Sequence, residues 1–191
     1  MDYSFFALIF RQRYIKRWSL MKNQSEETLS EHAMQCAVLA HALAVINRDV
    51  FGGDADPEKA AAYALFHDSA EVLCGDLPTP VKYASAEMRN TYRKIEESAA
   101  ASLLSKLPPA LQSAYRPLLS GDVDSETARL VKTADRLAAL IKCIEEEKSG
   151  NNEFRAARAS TLSLLQKQPG KELDYFIEHF LPAYEKTLDE L

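Results

Sequence analysis

Three side chains that can hold a divalent cation lie close together in the middle of the chain. His67 and Asp68 are adjacent and Glu71 follows shortly after, so a helical continuation would place all three along one side. They come directly after an apolar segment, where burying such a group without a partner is costly. Imidazole and carboxylate ligands together suit Mn, Co, Fe, Ni or Zn. We therefore expect a divalent metal site at this point of the chain.

Two distant residues are candidates for the same site. Asp135 has Val131, Ala138 and Ala139 one turn away on its predicted helix, so it should point toward the core. A carboxylate placed there needs a cation or hydrogen bonds. His32, in the first turn of another predicted helix, could supply a fourth ligand.

The chain has four histidines, and the other two do not fit this site. His41 follows His32 by nine residues, about 900° of helical rotation, so the two lie on opposite faces. We interpret His41 as a core histidine without a ligand role. His179 has no acidic partner at metal spacing and is interpreted as structural.

Other interpretations of the polar cluster remain open. A His-Asp pair arises readily by chance, and the cluster could be an interior salt-bridge network that holds no metal. The combination of His67 and Asp68 with Glu71, Asp135 and His32 favours a metal site.

The elements that must position these residues are predicted to be helices. Ala and Leu far outnumber Val and Ile, and there are only 6 Gly and 8 Pro, so the composition indicates an all-α fold. Thr28 and Glu31 have the spacing of a capping box, and Asp56-Pro57 is a second helix start. The two prolines within Gly75–Pro80 predict a loop. Helices are expected over about 4–15, 28–47, 57–68, 86–106, 109–119, 125–148, 153–167 and 172–188, the last kinked at Pro182.

Length and charge exclude several classes of protein. The 191 residues fit a single domain spanning 1–191. A net charge of −5 argues against a protein that coats nucleic acid or an anionic membrane. The longest nearly apolar stretch, Cys36–Ile46, is well short of the roughly 20 residues that cross a bilayer. We expect no nucleic-acid polymer and no membrane as partner.

The N-terminus and the cysteines indicate the cytoplasm. The apolar segment Phe5–Phe10 is preceded by an acid and followed by basic residues, the reverse of a signal peptide. The three cysteines are odd in number and far apart, which predicts neither a disulfide framework nor a Cys-x-x-Cys metal pair.

These residues, in this order, resemble the HD-domain metal-dependent phosphohydrolases, and within them the chain is similar to the bacterial 5′-deoxynucleotidases along nearly its whole length. Ser19 stands where members of that family often carry proline. The resemblance is carried by Arg17-Trp18, Ser30-Glu31-His32, Phe51-Gly52-Gly53, His67-Asp68-x-x-Glu71, Gly75-Asp76-Leu77-Pro78-Thr79-Pro80-Val81-Lys82-Tyr83, Lys132-x-x-Asp135, Gly150-Asn151-Asn152-Glu153-Phe154 and Asp174-Tyr175-Phe176.

The resemblance implies a single HD-domain helical bundle, a homodimer, and one divalent ion, with Co²⁺ or Mn²⁺ favoured. It implies catalytic roles for Glu71 and Arg17 and metal ligation by His32, His67, Asp68 and Asp135. The substrate contacts that it implies are Arg17, Trp18, His32, Asp76, Leu77, Pro78, Thr79 and Asp135.

The chemistry of two of these residues agrees with such roles. Arg17 offers a planar donor fork that suits phosphate, although its position in a basic run, taken without the resemblance, favours an exposed charge. Trp18 could be a wall of the nucleoside pocket or an anchor of its loop. Our hypothesis is that Trp18 packs near C2′ and disfavours a 2′-hydroxyl, while Asp76 accepts a hydrogen bond from the 3′-hydroxyl.

The predicted activity is hydrolysis of 2′-deoxyribonucleoside 5′-monophosphates to deoxynucleoside and phosphate. One alternative is an HD-domain hydrolase of triphosphates or of cyclic or polyphosphorylated nucleotides, which would need more cationic groups near the metal. The other is a non-catalytic HD module that binds nucleotide or protein, which has no obvious need for Glu71 beside a metal.

Overall fold

In the computed structural model, which describes residues 2–168 and 170–191, the chain is built from helices and shows no β-strand among those residues. The prediction of an all-α fold is confirmed. The helices are α1 (Phe5–Ile9), α2 (Leu29–Val45), α3 (Pro57–Phe66), α4 (Glu71–Cys74), α5 (Thr79–Lys82), α6 (Ala86–Leu104), α7 (Pro109–Ser120), α8 (Ser125–Lys148), α9 (Arg155–Gln166) and α10 (Lys171–His179).

The main core lies where α2 packs against α3 and α8. Fully buried leucines such as Leu43 and Leu137 meet there, and Leu165 of α9 and Phe176 of α10 close the cluster. A smaller cluster packs Phe5 of α1 against the end of α6. Burial of this apolar surface supplies most of the driving force for bringing the three central helices together.

Helix capping sets the register of two of the central helices. The Thr28 side chain accepts a hydrogen bond from the Glu31 N–H, and the Glu31 carboxylate accepts one from the Thr28 N–H. Asp56 caps α3 by accepting from the Lys59 N–H, with Pro57 in the first turn. Both predicted helix starts are confirmed. They place His32 in the first turn of α2 and His67 directly after α3.

The predicted secondary structure is wrong at two prolines, Pro80 and Pro182. Thr79 and Pro80 begin the short helix α5 rather than continuing the loop, because a proline in the first turn has no intrahelical hydrogen bond to lose. The last helix is not kinked at Pro182 but ends at His179, and a 3₁₀ turn, Leu181–Glu185, follows. A proline inside that helix would have removed one hydrogen bond and clashed with the preceding turn.

Two other helices are shorter than expected. The first ends at Ile9 and continues as a 3₁₀ turn, Phe10–Tyr14. The third ends at Phe66, and His67 and Asp68 lie in the following turn, where the Glu71 N–H bonds to the Asp68 carbonyl. The tight turn replaces the helical continuation but still keeps the three side chains together.

The central helix α2 continues through a π-helical turn to Val50, and this stretch is long and apolar enough to cross a membrane. Burial argues against that use, since 56% of its most apolar window packs inside the protein. It has the character of a core helix.

Candidate metal centre and active site

The four predicted metal ligands converge from three parts of the chain. Nε2 of His32 lies 3.4 Å from Oδ1 of Asp135 and 3.7 Å from Oδ2 of Asp68. Nε2 of His67 lies 3.0 Å from the same Asp68 oxygen. The first turn of α2, the turn after α3 and the middle of α8 therefore present two imidazoles and two carboxylates to one point.

The ring nitrogens of His67 are arranged as a metal ligand requires. Nδ1 lies 2.7 Å from the Ala64 carbonyl, to which it can donate a proton, so in the neutral ring the lone pair is on Nε2. That Nε2 is buried and, apart from its 3.0 Å ion-pair contact with Oδ2 of Asp68, has no hydrogen-bond partner among the residues that the structure describes. A divalent cation would complete its coordination, so the donor set fits a metal.

Opposing charges keep Asp135 ionised despite its burial and keep His67 protonated at neutral pH. Burial alone would raise the pKa of Asp135, but His32 and Lys132, whose Nζ lies 2.7 Å from Oδ2, keep it well below its usual range. Burial alone would lower the pKa of His67, but the charge of Asp68 raises it to about 9. A metal ion must therefore displace a proton from His67 at neutral pH.

Cys36 is a neighbour of this cluster that the sequence analysis did not consider. Cys36 is fully buried, and its Sγ lies 3.4 Å from Nε2 of His32. Together with His67 and Asp135, these two residues form a group whose ligand atoms all lie within 4.8 Å of one another. The sequence could have indicated this contact, because Cys36 lies one helical turn after His32. Burial, with the charges of Asp135 and Asp68, raises the pKa of this thiol, which favours the protonated S–H.

Glu71 is buried beside the cluster with one oxygen unsatisfied. The residue is only 4% exposed, and its Oε2 has no hydrogen-bond partner in the described part of the chain. Burial, together with the charges of Asp68 and Asp76, raises its pKa to about 10. A carboxyl group with this surrounding is suited to proton transfer.

The raised pKa of Glu71 predicts a pH dependence of stability in the metal-free protein. The folded state holds a proton that the unfolded chain releases above about pH 4.5, so stability falls as the pH rises toward 10. The slope from this group is at most about 1.4 kcal/mol per pH unit. We expect Glu71→Gln to be more stable than wild type at pH 8 and equal to it near pH 4.5. Urea unfolding across this pH range tests it, and parallel profiles for the two proteins would contradict it.

Arg17 approaches the same cluster from the loop before α2. Its Nη1 lies 3.6 Å from Oδ2 of Asp76 and 3.9 Å from Oδ2 of Asp68. The side chain is only 13% exposed, so the interpretation as an exposed charge is wrong. Although burial alone would lower it, the pKa of Arg17 is raised by the charges of Asp76, Glu27 and Asp68. A guanidinium fixed at this place offers charged donors next to the metal ligands.

Trp18 occupies a backbone conformation that is uncommon for its residue type, with φ of 57°. Its ring packs against Phe154, with centroids 5.3 Å apart, and its indole Nε1–H donates to Oε2 of Glu27 at 2.7 Å. The side chain therefore anchors its loop and lies directly beside Arg17. Glu27 is a second residue that the sequence analysis did not consider.

The predicted substrate loop turns sharply next to Arg17. Gly75 adopts a positive φ of 79°, a conformation that glycine allows, and its carbonyl accepts a hydrogen bond from the Tyr92 hydroxyl at 2.6 Å. Burial raises the pKa of the Asp76 carboxyl. After Asp76, Leu77 and Pro78 are half-buried, and Thr79, the first residue of α5, is exposed.

A cavity of about 500 Å³ adjoins the cluster on the side of α6 and α7. Its volume lies within the range of small-molecule sites. One wall consists of site residues, and the lining also includes Arg93 of α6 and Arg116 of α7. Arg17, Trp18 and Asp76 are not among its described lining residues, so they flank the cluster on another side. The site residues of the first wall are His67, Asp68, Glu71 and Asp135.

The two remaining histidines lie outside this region. His41 is on the exposed face of α2, so its interpretation as a core residue is wrong, while its separation from His32 is as expected. His179 is exposed and packs against Tyr175, with ring centroids 4.3 Å apart.

Comparison with known proteins gives consistent results. A sequence profile described as 5′-deoxynucleotidase YfbR-like matches residues 4–184. A protein of Erwinia tasmaniensis named 5′-deoxynucleotidase is 46% identical over 188 residues, covering 98% of this chain and 95% of its own. One of Vibrio cholerae with the same name is 44% identical, with coverages of 98% and 97%. Among solved structures, an HD-domain phosphohydrolase from Listeria innocua superposes with a TM-score of 0.83 at 25% identity, covering 95% of this chain and 88% of its own.

Proposed function

The chain belongs to the YfbR-like 5′-deoxynucleotidase family, and from that premise we propose that it hydrolyses 2′-deoxyribonucleoside 5′-monophosphates to deoxynucleoside and phosphate. It is a metal-dependent phosphoric monoester hydrolase. The site residues, the metal and the assembly given below are parts of this proposal.

One observation carries the proposal: a buried guanidinium stands next to the convergent ligand cluster. Nη1 of Arg17 lies 3.9 Å from Oδ2 of Asp68, the oxygen that also faces both imidazoles. A phosphoryl group bound between a cation and Arg17 would have its charge neutralised from two sides.

We assign the metal to His32, His67, Asp68 and Asp135. A single divalent ion is favoured because the other two histidines are exposed and are not part of the clustered group, and Co²⁺ or Mn²⁺ suits this mixed set of nitrogen and oxygen ligands. When bound, such an ion lowers the pKa of a coordinated water toward about 7 and stabilises developing charge as a Lewis acid.

The residues of the chain supply binding, orientation and proton transfer. Arg17 donates hydrogen bonds to the phosphoryl oxygens and holds the group in place. The charge of a bound divalent ion would lower the raised pKa of Glu71, and its carboxylate would then orient the attacking water and accept its proton. Burial of Glu71 keeps bulk water away from this proton, since the residue is 4% exposed.

A second candidate activity, hydrolysis of nucleoside triphosphates, is favoured by one feature. Arg93 and Arg116, which line the cavity, could bind additional phosphates. Arg93, however, lies 3.8 Å from Glu97, which offsets part of its charge. We favour the monophosphate because Arg17 is the guanidinium that contacts a proposed metal ligand.

A phosphate-release assay on deoxyribo- and ribonucleoside mono-, di- and triphosphates separates these activities. We expect turnover of deoxyribonucleoside monophosphates with each base and much slower release from the other substrates. Faster release from triphosphates would assign the protein to the second candidate activity. Binding of nucleotides without release of phosphate from any of them would indicate a non-catalytic binding module.

Trp18 is expected to determine the preference for deoxyribose. Trp18→Ala should remove the wall near C2′ and raise the relative kcat/KM for ribonucleotides by about tenfold, the effect of one well-packed contact. Trp18→Phe keeps an aromatic wall and is the matched control. An unchanged deoxyribo over ribo preference in Trp18→Ala would contradict the steric role. Asp76 is assigned to the 3′-hydroxyl, so a substrate without that group should be hydrolysed more slowly.

We propose that the protein is a homodimer in the cytoplasm. Phe6, Phe10 and Tyr14, spaced four residues apart along α1 and the turn after it, are each about half exposed or more. Exposed aromatic residues in such a row are typical of a surface covered by a second subunit. Light scattering should give twice the chain mass for wild type and a shift to monomer for Phe10→Glu. A monomeric wild-type protein would contradict the dimer.

The proposed location rests on the cysteines, and the proposed partner on the charge of the chain. Cys36, Cys74 and Cys143 are free, which is typical of a reducing compartment. The net charge of −5 supports a small nucleotide, rather than a nucleic acid or a membrane, as the partner.

A further inference from the structure

Resting on the proposed function, we propose that Glu27 is a positioning residue that fixes Arg17 and Trp18 for substrate binding and faces the metal ligand His32. Glu27 is not a catalytic residue, since its carboxylate lies behind these three side chains. The inference rests on the contacts of both carboxylate oxygens and of the backbone carbonyl.

Glu27 is bonded to two adjacent residues of the proposed substrate site. Its Oε2 accepts hydrogen bonds from Nε1 of Trp18 at 2.7 Å and from Nε of Arg17 at 3.4 Å. Its backbone carbonyl accepts from the Arg17 N–H at 2.9 Å. The carboxylate is only 6% exposed, so water competes little for these bonds.

The bond to Arg17 determines which donors remain for a phosphate. Glu27 engages Nε, on one edge of the guanidinium, and Nη1 is left facing Asp68 and Asp76. This bond, together with the ion-pair contacts of Nη1, restricts rotation of the guanidinium away from the metal ligands. Less conformational freedom is then lost when a phosphoryl group binds.

The bond to Trp18 stabilises an unfavourable backbone conformation. A tryptophan with φ of 57° is disfavoured unless its surroundings fix it. Four contacts do so: the bond to Glu27, the packing on Phe154, and hydrogen bonds to the Trp18 carbonyl from the Met21 N–H at 2.9 Å and from Nδ2 of Asn23 at 3.2 Å.

The second oxygen of Glu27 faces the metal centre. Oε1 lies 3.9 Å from Nδ1 of His32, longer than a hydrogen bond, but close enough for its charge to favour the tautomer with a proton on Nδ1. That tautomer leaves the lone pair of Nε2, which faces Asp68 and Asp135, for a cation. One buried carboxylate thus connects the phosphate donor, the sugar wall and a metal ligand.

The test compares Glu27→Gln with Glu153→Gln. Glutamine preserves the size of the side chain and one acceptor but removes the charge. Glu153 is the matched control because it is exposed and bonds the same loop through the Lys22 N–H, away from Arg17 and Trp18. Three readouts are compared: steady-state kinetics, the fluorescence of Trp18, which is the only tryptophan of the chain, and the thermal midpoint.

We expect Glu27→Gln to lower kcat/KM for deoxyribonucleoside monophosphates by about 10- to 100-fold, mainly through KM, since bonds to charged groups contribute this much. The deoxyribo over ribo preference should fall and the Trp18 emission maximum should shift, at an unchanged thermal midpoint. Glu27→Ala, which removes both acceptors, should lose more. Glu153→Gln should match wild type in all three readouts.

Wild-type kinetics and emission in Glu27→Gln would overturn the proposal, and so would equal losses in Glu27→Gln and Glu153→Gln. Should Glu27→Ala fail to fold, the isosteric Glu27→Gln still decides the question. Failure of the proposed function is a separate outcome: the wild-type protein would then release no phosphate, while the Trp18 emission of Glu27→Gln would still test the contact.

Discussion

Replacing Glu71 with glutamine is expected to lower kcat for deoxyribonucleoside monophosphates by about 10²- to 10⁴-fold, the range for loss of a general acid or base. Glutamine retains the size and one acceptor of the side chain but cannot take a proton. Since Glu71 binds the substrate neither directly nor through the metal in our account, KM should change little. The unsatisfied Oε2 beside Asp68 is the atom whose loss should matter.

Steady-state phosphate release, together with metal analysis of the same sample, measures this effect. Glu58→Gln is the control, because Glu58 is an exposed glutamate near the start of the helix that leads to His67. Full activity in Glu71→Gln would refute the assigned role. Loss of bound metal in Glu71→Gln would show instead that this residue is a ligand.

Removing one carboxylate of the cluster is expected to abolish both metal binding and activity. Asp135→Ala should bind substoichiometric metal and lose at least about 10³-fold in kcat, since the ion and its Lewis-acid effect are lost together. Saturation of the wild-type protein at about 100 times the dissociation constant should stabilise it by about 2.7 kcal/mol. For a chain of this length that corresponds to about 5–10 °C in thermal midpoint.

Differential scanning fluorimetry with and without Co²⁺ or Mn²⁺ tests the loss of binding without using activity. Asp68→Ala should behave like Asp135→Ala and show no metal-dependent shift. Asp54→Ala, at an exposed position before α3, should shift like the wild type. If the metal left the thermal midpoint of all four proteins unchanged, the cluster would be an interior salt-bridge network instead of a metal site.

Much of the helical framework could be predicted from the sequence because its signals are local. Thr28 with Glu31, and Asp56 with Pro57, are complete start signals within four residues, and the structure shows both caps. The bounds of α8 agree with the prediction at both ends, since an N-cap and a glycine delimit its apolar stripe. The sequence was misleading at Pro182, where a kink was predicted: helix α10 ends before this proline, at His179.

The candidate ligands could also be nominated from the sequence, because residue type and helical spacing identify them. Burial and partners could not be predicted in this way. Arg17 reads as one charge in a basic run, and only the packed loop shows that it is 13% exposed and surrounded by carboxylates. Glu27 and Cys36 were missed for the same reason: their importance arises from residues that the fold brings next to them.

The limits of periodicity are clear at two further places. Glu71 and His67 were expected along one helix, yet a tight turn separates α3 from α4 and keeps them together by a different geometry. His41 was assigned to the core from its apolar surroundings, but it lies on the exposed face of α2. In both cases tertiary packing decided the outcome over the local pattern.

The most direct test of the central claim is a metal titration followed by phosphate release. Protein freed of metal by chelation is titrated with Co²⁺ or Mn²⁺ while hydrolysis of 2′-deoxyadenosine 5′-monophosphate and of adenosine 5′-monophosphate is measured. Our account predicts no activity without metal, recovery that saturates at one ion per chain, and a strong preference for the deoxyribonucleotide. Full activity after chelation, or recovered activity that does not discriminate between the two nucleotides, would contradict it.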